Sequence, residues 1–218
     1  MNTQVLDLVF TLAAFVVIKI AFILAGWSFG GPVGIVAALL VATWRLRAAN
    51  QTWSDLGLRK PERLWMIPVF TLVIFITIGV VFTLVLAPVL AYFGLEQGGI
   101  GAFAYLHNNL VALILTLVFI AWGTAAFGEE MIFRGLIMHR FAALMGNNKS
   151  AWWAAAVLQA VFFGLPHYYQ GWYGVIVSAT IGFIMAAAFL LSKRNLWPLI
   201  IAHGAVDTLS LVQVYLYV

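Results

Sequence analysis

Residues 109 to 144 read NLVALILTLVFIAWGTAAFGEEMIFRGLIMHRFAAL, and how often this stretch crosses a bilayer decides the fold. As one straight α-helix its 36 residues would reach about 54 Å, against roughly 30 Å of hydrocarbon. The expectation is a single crossing with a break near Gly123 or Gly128, or a single crossing followed by an interfacial tail ending in His139-Arg140. A second crossing by 128–144 would invert every later span and send Lys193-Arg194 to the side opposite the other basic loops. The same stretch sets Glu129, Glu130 and Arg134 among apolar neighbours, where solubility asks for no charge. Ionisable groups at bilayer depth are costly and are read as functional by default.

The rest of the chain has the same character. It has 218 residues, 65% hydrophobic and 8% charged, with a mean hydropathy of +1.06, whereas about a quarter of a soluble domain is charged. The reading is an all-α, polytopic transmembrane bundle of about seven to eight helices, forming one membrane domain over 1–218. Apolar stretches cover 5–27, 29–44, 65–93, 109–144, 151–165, 173–192 and 196–217. Trp27, Trp44, Trp65, Trp152, Trp153, Trp172 and Trp197 fall near their ends, where an indole prefers the headgroup level.

The loop 45–64 carries Arg45, Arg47, Arg59, Lys60 and Arg63 against Asp55 and Glu62, so the positive-inside rule assigns it to the cytoplasm. Two spans precede it, which places the N-terminus inside. Counting onward puts 94–108 outside and returns Lys149 and Lys193-Arg194 to the cytoplasm. The net charge of +4 therefore serves orientation, and no nucleic-acid partner is expected. The N-terminal stretch has no Lys or Arg before its apolar run and reads as a retained first span. The expected location is the plasma (inner) membrane, as an integral multi-pass protein. Without cysteine the chain has no disulfide, no thiol catalysis and no thiolate metal ligand.

Two further polar islands share the apolar setting: Phe163-Gly164-Leu165-Pro166-His167 and His203-Gly204-Ala205-Val206-Asp207. On a helix Glu130 and Arg134 share a face and can pair, while Glu129 looks elsewhere. Glu130 with Arg134 then reads as a supporting ion pair, and the unpaired Glu129 suits a general base. Pro166 biases Leu165 away from helix, so His167 is expected at a break, reaching into a cavity. His203 and Asp207, one turn apart, can aim hydrogen bonds at the oxygen that turns negative when a carbonyl is attacked. Structural readings stand beside each of these: a helix-packing ion pair, an interfacial histidine, an i,i+4 hydrogen bond. Specificity lies in the conjunction.

His107, beside Asn108 and Asn109, reads as a loop residue, and His139 as a solvated or headgroup-facing helix end. Lys19, near the middle of the first span, either snorkels or has an internal carboxylate partner. An aspartyl mechanism lacks a second intramembrane Asp beside Asp207, and neither Ser178 nor Ser210 sits in a nucleophile elbow.

At these three islands the sequence resembles the CAAX protease and bacteriocin-processing family, also called Abi or CPBP, which includes the Ras-converting CAAX endopeptidase. Glu129-Glu130-x-x-x-Arg134 is similar to its EExxxR motif, Phe163-x-x-x-His167 to its FxxxH, and His203-x-x-x-Asp207 to its HxxxN or HxxxD. The resemblance covers 129–207. It implies a helical membrane peptidase in which Glu129 and His167 activate water, His203 and Asp207 form the oxyanion site, and Glu130 and Arg134 support the first carboxylate. CAAX-cleaving members have Asn where this chain has Asp207, which leaves Asp207 to donate when protonated, to orient His203 or to help hold a metal. On this reading 109–218 is the catalytic core and 1–108 a peripheral collar with no recognised motif.

The leading function is a glutamate-dependent intramembrane endopeptidase acting on a membrane-associated peptide or protein, with a prenylated CAAX-type substrate as one form. No cofactor is expected. A zinc-dependent variant on Glu129, His167, His203 and Asp207 is the alternative, although no HExxH spacing supports it. A non-catalytic scaffold or immunity protein and a small proton-coupled transporter are the readings from other classes. The expected partners are membrane lipid and the membrane-associated peptide or protein substrate, and oligomeric state is open.

Overall fold

The computed structural model describes residues 2–217. Among the described residues seven helices make up the bundle: α1 Thr3–Leu24 and α2 Gly30–Ala48, α3 Met66–Tyr92 and α4 Leu110–Leu144, α5 Lys149–Gly164, α6 Gly171–Leu191 and α7 Trp197–Tyr217. No strand occurs among the described residues. Asparagines that favour non-helical conformations start three of the helices: Asn2, Asn109 and Asn148 accept from the amides of Gln4, Ala112 and Ala151, satisfying donors that a helix start leaves free.

Six helical runs are long and apolar enough to cross a membrane. The longest, Lys149–Leu191, comprises α5, a 3₁₀ segment at Leu165–Gln170 and α6, and it folds back on itself at Gly171, whose φ is 72°. Gln159 Nε2 on α5 donates to Gly182 O on α6 at 3.0 Å, and a Cβ on Gly164 would lie 2.6 Å from Val175 O. The two helices are thus a close antiparallel pair.

α4 corrects the expectation of a break. It runs unbroken, and from Thr116 to Ile137 it is wound as a π-helix. Hydrogen bonds in such turns reach back five residues, as Met138 N–H does to Phe133 O. More residues per turn means less advance per residue, so the stretch shortens without breaking at Gly123 or Gly128. It still crosses once.

Contacts between loops verify that parity. Asp7 near the chain start, Arg45 at the end of α2 and Arg140 at the end of α4 meet in one buried cluster, with Nε–carboxylate distances of 2.8 and 2.9 Å. Arg140 also donates to Gln51, and Lys193, after α6, pairs with Glu62 at 3.0 Å. These groups define one end of the bundle. At the other end Gly98 N–H donates to Gln170 O, and Asn108 N–H to Tyr215 O.

Helix contacts use small residues, with Ala38, Ala42, Ala155, Ala156, Ala186 and Ala202 buried, while Leu24, Leu40, Leu84 and Val111 point outward. This inverts the soluble pattern because lipid tails are as apolar as leucine, so close backbone approach holds the helices together. Trp27, Trp44, Trp65 and Trp172 are exposed, but Trp152 is core. His139 was expected to be solvated; it instead packs edge-on between Trp152 and Phe189, its Nδ1 on Arg134 O at 3.3 Å. The reason is that α4 reaches past the α5 start, so its last turns are covered.

Candidate active site

Glu130 and Arg134 are fully buried. Arg134 NH1 donates to Glu130 Oε1 at 2.8 Å and NH2 to Gly182 O at 3.2 Å, and the guanidinium lies 4.4 Å from the centre of the Phe163 ring. The pair therefore joins α4 to α5 and α6. Gln159, also fully buried, donates to the same Gly182 carbonyl at 3.0 Å. Both donors belong to the site, and neither contact is visible in sequence spacing.

Glu130 is more than an ion-pair partner. The oxygen that takes Arg134 also accepts a hydrogen bond from His203 Nδ1 at 2.8 Å, so His203 is tied back to α4 and is not a free partner of Asp207 alone. The other ring nitrogen, Nε2, lies 3.7 Å from Asp207 Oδ2, too far for a hydrogen bond. Carboxylates thus flank His203 at both nitrogens.

Close backbone approach brings these groups together. A Cβ on Gly204 would lie 2.7 Å from the Trp122 ring, and one on Gly128 would lie 2.5 Å from Ile35 Cγ2. Glycine beside His203 lets α7 settle on α4, and glycine beside Glu129 lets α2 do the same. Trp122 Nε1 donates to Thr208 Oγ1 at 3.1 Å, fixing that contact one turn beyond Gly204.

Glu129 is only partly buried and makes no side-chain hydrogen bond among the described residues. His203, Asp207, Arg134 and Glu130 lie close enough for their charges to act on it. With Asp207, which is likewise partly exposed, it is one of two partly open carboxylates in the cluster.

His167 lies on the 3₁₀ segment that continues α5. The expected departure of Leu165 from helix did not occur: its φ and ψ are −53° and −43°. The change at Pro166 is one of helix type, because 3₁₀ turns tolerate the missing N–H at their start. Residue counting alone sets His167 nearer the far surface than Glu129. The His167 Nδ1–H donates to Phe163 O at 2.9 Å, which leaves Nε2 as the acceptor nitrogen. The Phe163 ring lies between the two histidines, its centre 5.3 Å from that of His167 and 6.1 Å from that of His203.

Lys19 has a partner of a kind no sequence displays. Its Nζ donates to Pro166 O at 2.7 Å, so the cation in α1 holds the backbone beside His167 rather than a carboxylate. Five of the six residues singled out in sequence, Glu130, Arg134, His167, His203 and Asp207, belong with Lys19, Gln159 and Phe163 to one connected set of contacts, and Glu129 lies within reach of the charges of His203, Asp207 and Arg134. His107 lies apart on an exposed turn, bonded to Asn108. Among the described residues no three His, Asp or Glu side chains are grouped as metal ligands.

Carboxylates, imidazoles and a guanidinium joined inside a helical bundle define a polytopic membrane protein with an intramembrane polar site. Residues 110–209 match the family described as Rce1-like, type II CAAX prenyl endopeptidase Rce1-like, a match that supports the resemblance to the CAAX protease, or CPBP, family carried by the three motifs. The family supports a CAAX-type intramembrane endopeptidase in general terms. No curated protein and no solved structure matches the chain.

Proposed function

We propose that the protein is a glutamate-dependent intramembrane endopeptidase that hydrolyses a peptide bond of a membrane-associated substrate, a prenylated CAAX-type protein being the form the matched family points to. The observation that carries this reading is the contrast between neighbours: Glu130 is buried and bonded to both Arg134 and His203, while Glu129 beside it is partly open and unengaged.

Glu129 takes a proton from a water that the acceptor nitrogen of His167 helps to hold. The resulting hydroxide attacks the scissile carbonyl carbon. His203 acts in its imidazolium form, with Nδ1–H on Glu130 and Nε2–H directed at the carbonyl oxygen as it becomes negative; Asp207, when protonated, supplies a second donor. Preset donors of this kind are often the largest catalytic contribution. As the tetrahedral intermediate collapses, the C–N bond breaks and Glu129 returns its proton to the leaving amine. Arg134, Gln159 and Phe163 hold Glu130 in place and contact no substrate.

The basic end of the bundle, with Arg45, Arg59, Lys60 and Lys193, faces the cytoplasm under the positive-inside rule, with the N-terminus on the same side, in the plasma membrane. The test is a farnesylated CAAX peptide incubated with the purified protein in liposomes, with products read by mass spectrometry. A new C-terminus formed by the wild type and not by Glu129→Gln supports the proposal; equal product from both removes Glu129 from the mechanism.

A further inference from the structure

At the basic end of the bundle, the 45–64 loop and the turn between α6 and α7 enclose a pocket of about 340 Å³ lined by Arg59, Lys60, Glu62 and Lys193 above Met66 and Phe70. Glu62 is taken by Lys193 at 3.0 Å, so Arg59 and Lys60 leave a surplus of positive charge. The pocket wall is built rather than draped. Buried Asn195 donates to Arg59 O at 2.9 Å, and Arg59 NH2 donates to Lys193 O at 3.1 Å. Lys193 and Arg194 both have positive φ, 56° and 58°, a conformation that Gly or Asn adopts more readily. The turn therefore carries two cations in positions where its backbone alone favours other residues.

A second cavity adjoins this one. Ile67 lines both, and from it an apolar groove of about 530 Å³ passes between α3 and α7 along Phe75, Ile201 and Ala205. From Ile67 to Phe75 the groove descends about 12 Å along α3. It reaches Ala205, two residues beyond His203.

We infer that these two adjoining cavities, which share Ile67, form a binding site for an anionic phospholipid, whose phosphate lies against Arg59 and Lys60 while one acyl chain lies in the α3–α7 groove. Charge complementarity at the headgroup level and an apolar channel of matching direction are the features such a lipid requires, and basic pockets between membrane helices bind anionic headgroups on general electrostatic grounds. The inference does not depend on the proposed catalysis.

The experiment uses the delipidated full-length protein in neutral detergent, with dioleoyl-phosphatidylglycerol, dioleoyl-phosphatidylcholine and sn-glycerol 3-phosphate as probes. Binding is read by native mass spectrometry and by the shift in unfolding temperature. Phosphatidylglycerol should bind about tenfold or more tightly than phosphatidylcholine. The double variant Arg59→Gln/Lys60→Gln should lose that preference, Lys149→Gln, on a different loop, should keep it, and glycerol phosphate should not compete. Equal retention of the two lipids, an unchanged preference in the double variant, an equal loss in Lys149→Gln, or competition by glycerol phosphate would each overturn the site.

Discussion

Glu130 and His203 are 73 positions apart in the chain, yet Glu130 Oε1 accepts a hydrogen bond from His203 Nδ1 at 2.8 Å while the same oxygen holds Arg134 at 2.8 Å. One buried carboxylate therefore fixes α4 against α7 and, through Arg134, against α5 and α6. Its neighbour Glu129 is relieved of any structural bond. Adjacent residues of one type thus differ: Glu130 holds the helices together, and Glu129 carries no structural bond among the described residues, which suits the catalytic duty proposed for it.

That division predicts opposite phenotypes for two conservative changes. Glu130→Gln leaves Arg134 buried without a counter-charge, a loss of about 3 to 5 kcal/mol, and should lower the unfolding temperature in detergent. Glu129→Gln should leave unfolding unchanged while cutting turnover by about 10²- to 10⁴-fold, the usual worth of a positioned general base. Thermal unfolding followed on both variants, beside peptide cleavage by Glu129→Gln, checks the pair. Equal destabilisation of the two would contradict it.

Asp207 is proposed to serve as a hydrogen-bond donor beside His203 Nε2, 3.7 Å away. Asparagine donates from the same position at any pH, so Asp207→Asn should keep activity within about tenfold of wild type, whereas Asp207→Leu should lose about 10²- to 10³-fold, as loss of an oxyanion donor does. Cleavage rates at matched substrate decide this. Full loss in Asp207→Asn would show that the carboxylate itself is needed.

Lys19 acts at a distance from the reacting atoms by holding Pro166 O. Lys19→Met should loosen the Leu165–Gln170 turn, raising its amide hydrogen exchange, and should lower turnover with little change in KM. Lys19→Arg, which can still donate to that carbonyl, should restore part of the rate. Loss of a charge-assisted hydrogen bond costs about 1.5 to 3 kcal/mol. Unaltered exchange at the turn would remove Lys19 from this role.

Gly204 permits the approach of α7 to Trp122, where an added Cβ would sit 2.7 Å from the ring. Gly204→Ala should destabilise the bundle by about 1 to 3 kcal/mol through overpacking. Shortening the neighbour in the double variant Gly204→Ala/Trp122→Leu should recover part of that loss, giving a measurable coupling in a double-mutant cycle. Strict additivity would mean that the two residues do not meet.

The architecture was legible because lipid imposes few choices. Seven apolar stretches gave seven helices, and basic loops sorted to one end as charge required. That the three polar islands would lie near one another was legible for the same reason, since isolated charges at bilayer depth need company. The Glu130–His203 bond was not, because i,i+4 spacing advertised Arg134 as the whole partner of Glu130. Gln159 and Lys19 were missed or left without a partner because each bonds a backbone carbonyl, a group every residue carries. The unbroken course of α4 was hidden because length in residues converts to length in ångströms only once the winding is known, and π turns advance less.

Glu129 is proposed to activate a water that attacks the peptide bond directly. The most direct test is single-turnover cleavage of a farnesylated CAAX peptide in H₂¹⁸O, with the isotope located by mass spectrometry. Water activation predicts one ¹⁸O atom in the new peptide carboxylate on the first turnover and none in Glu129. Unlabelled product on the first turnover, with ¹⁸O later found in the Glu129 side chain, would show that Glu129 attacks as a nucleophile and would contradict the account.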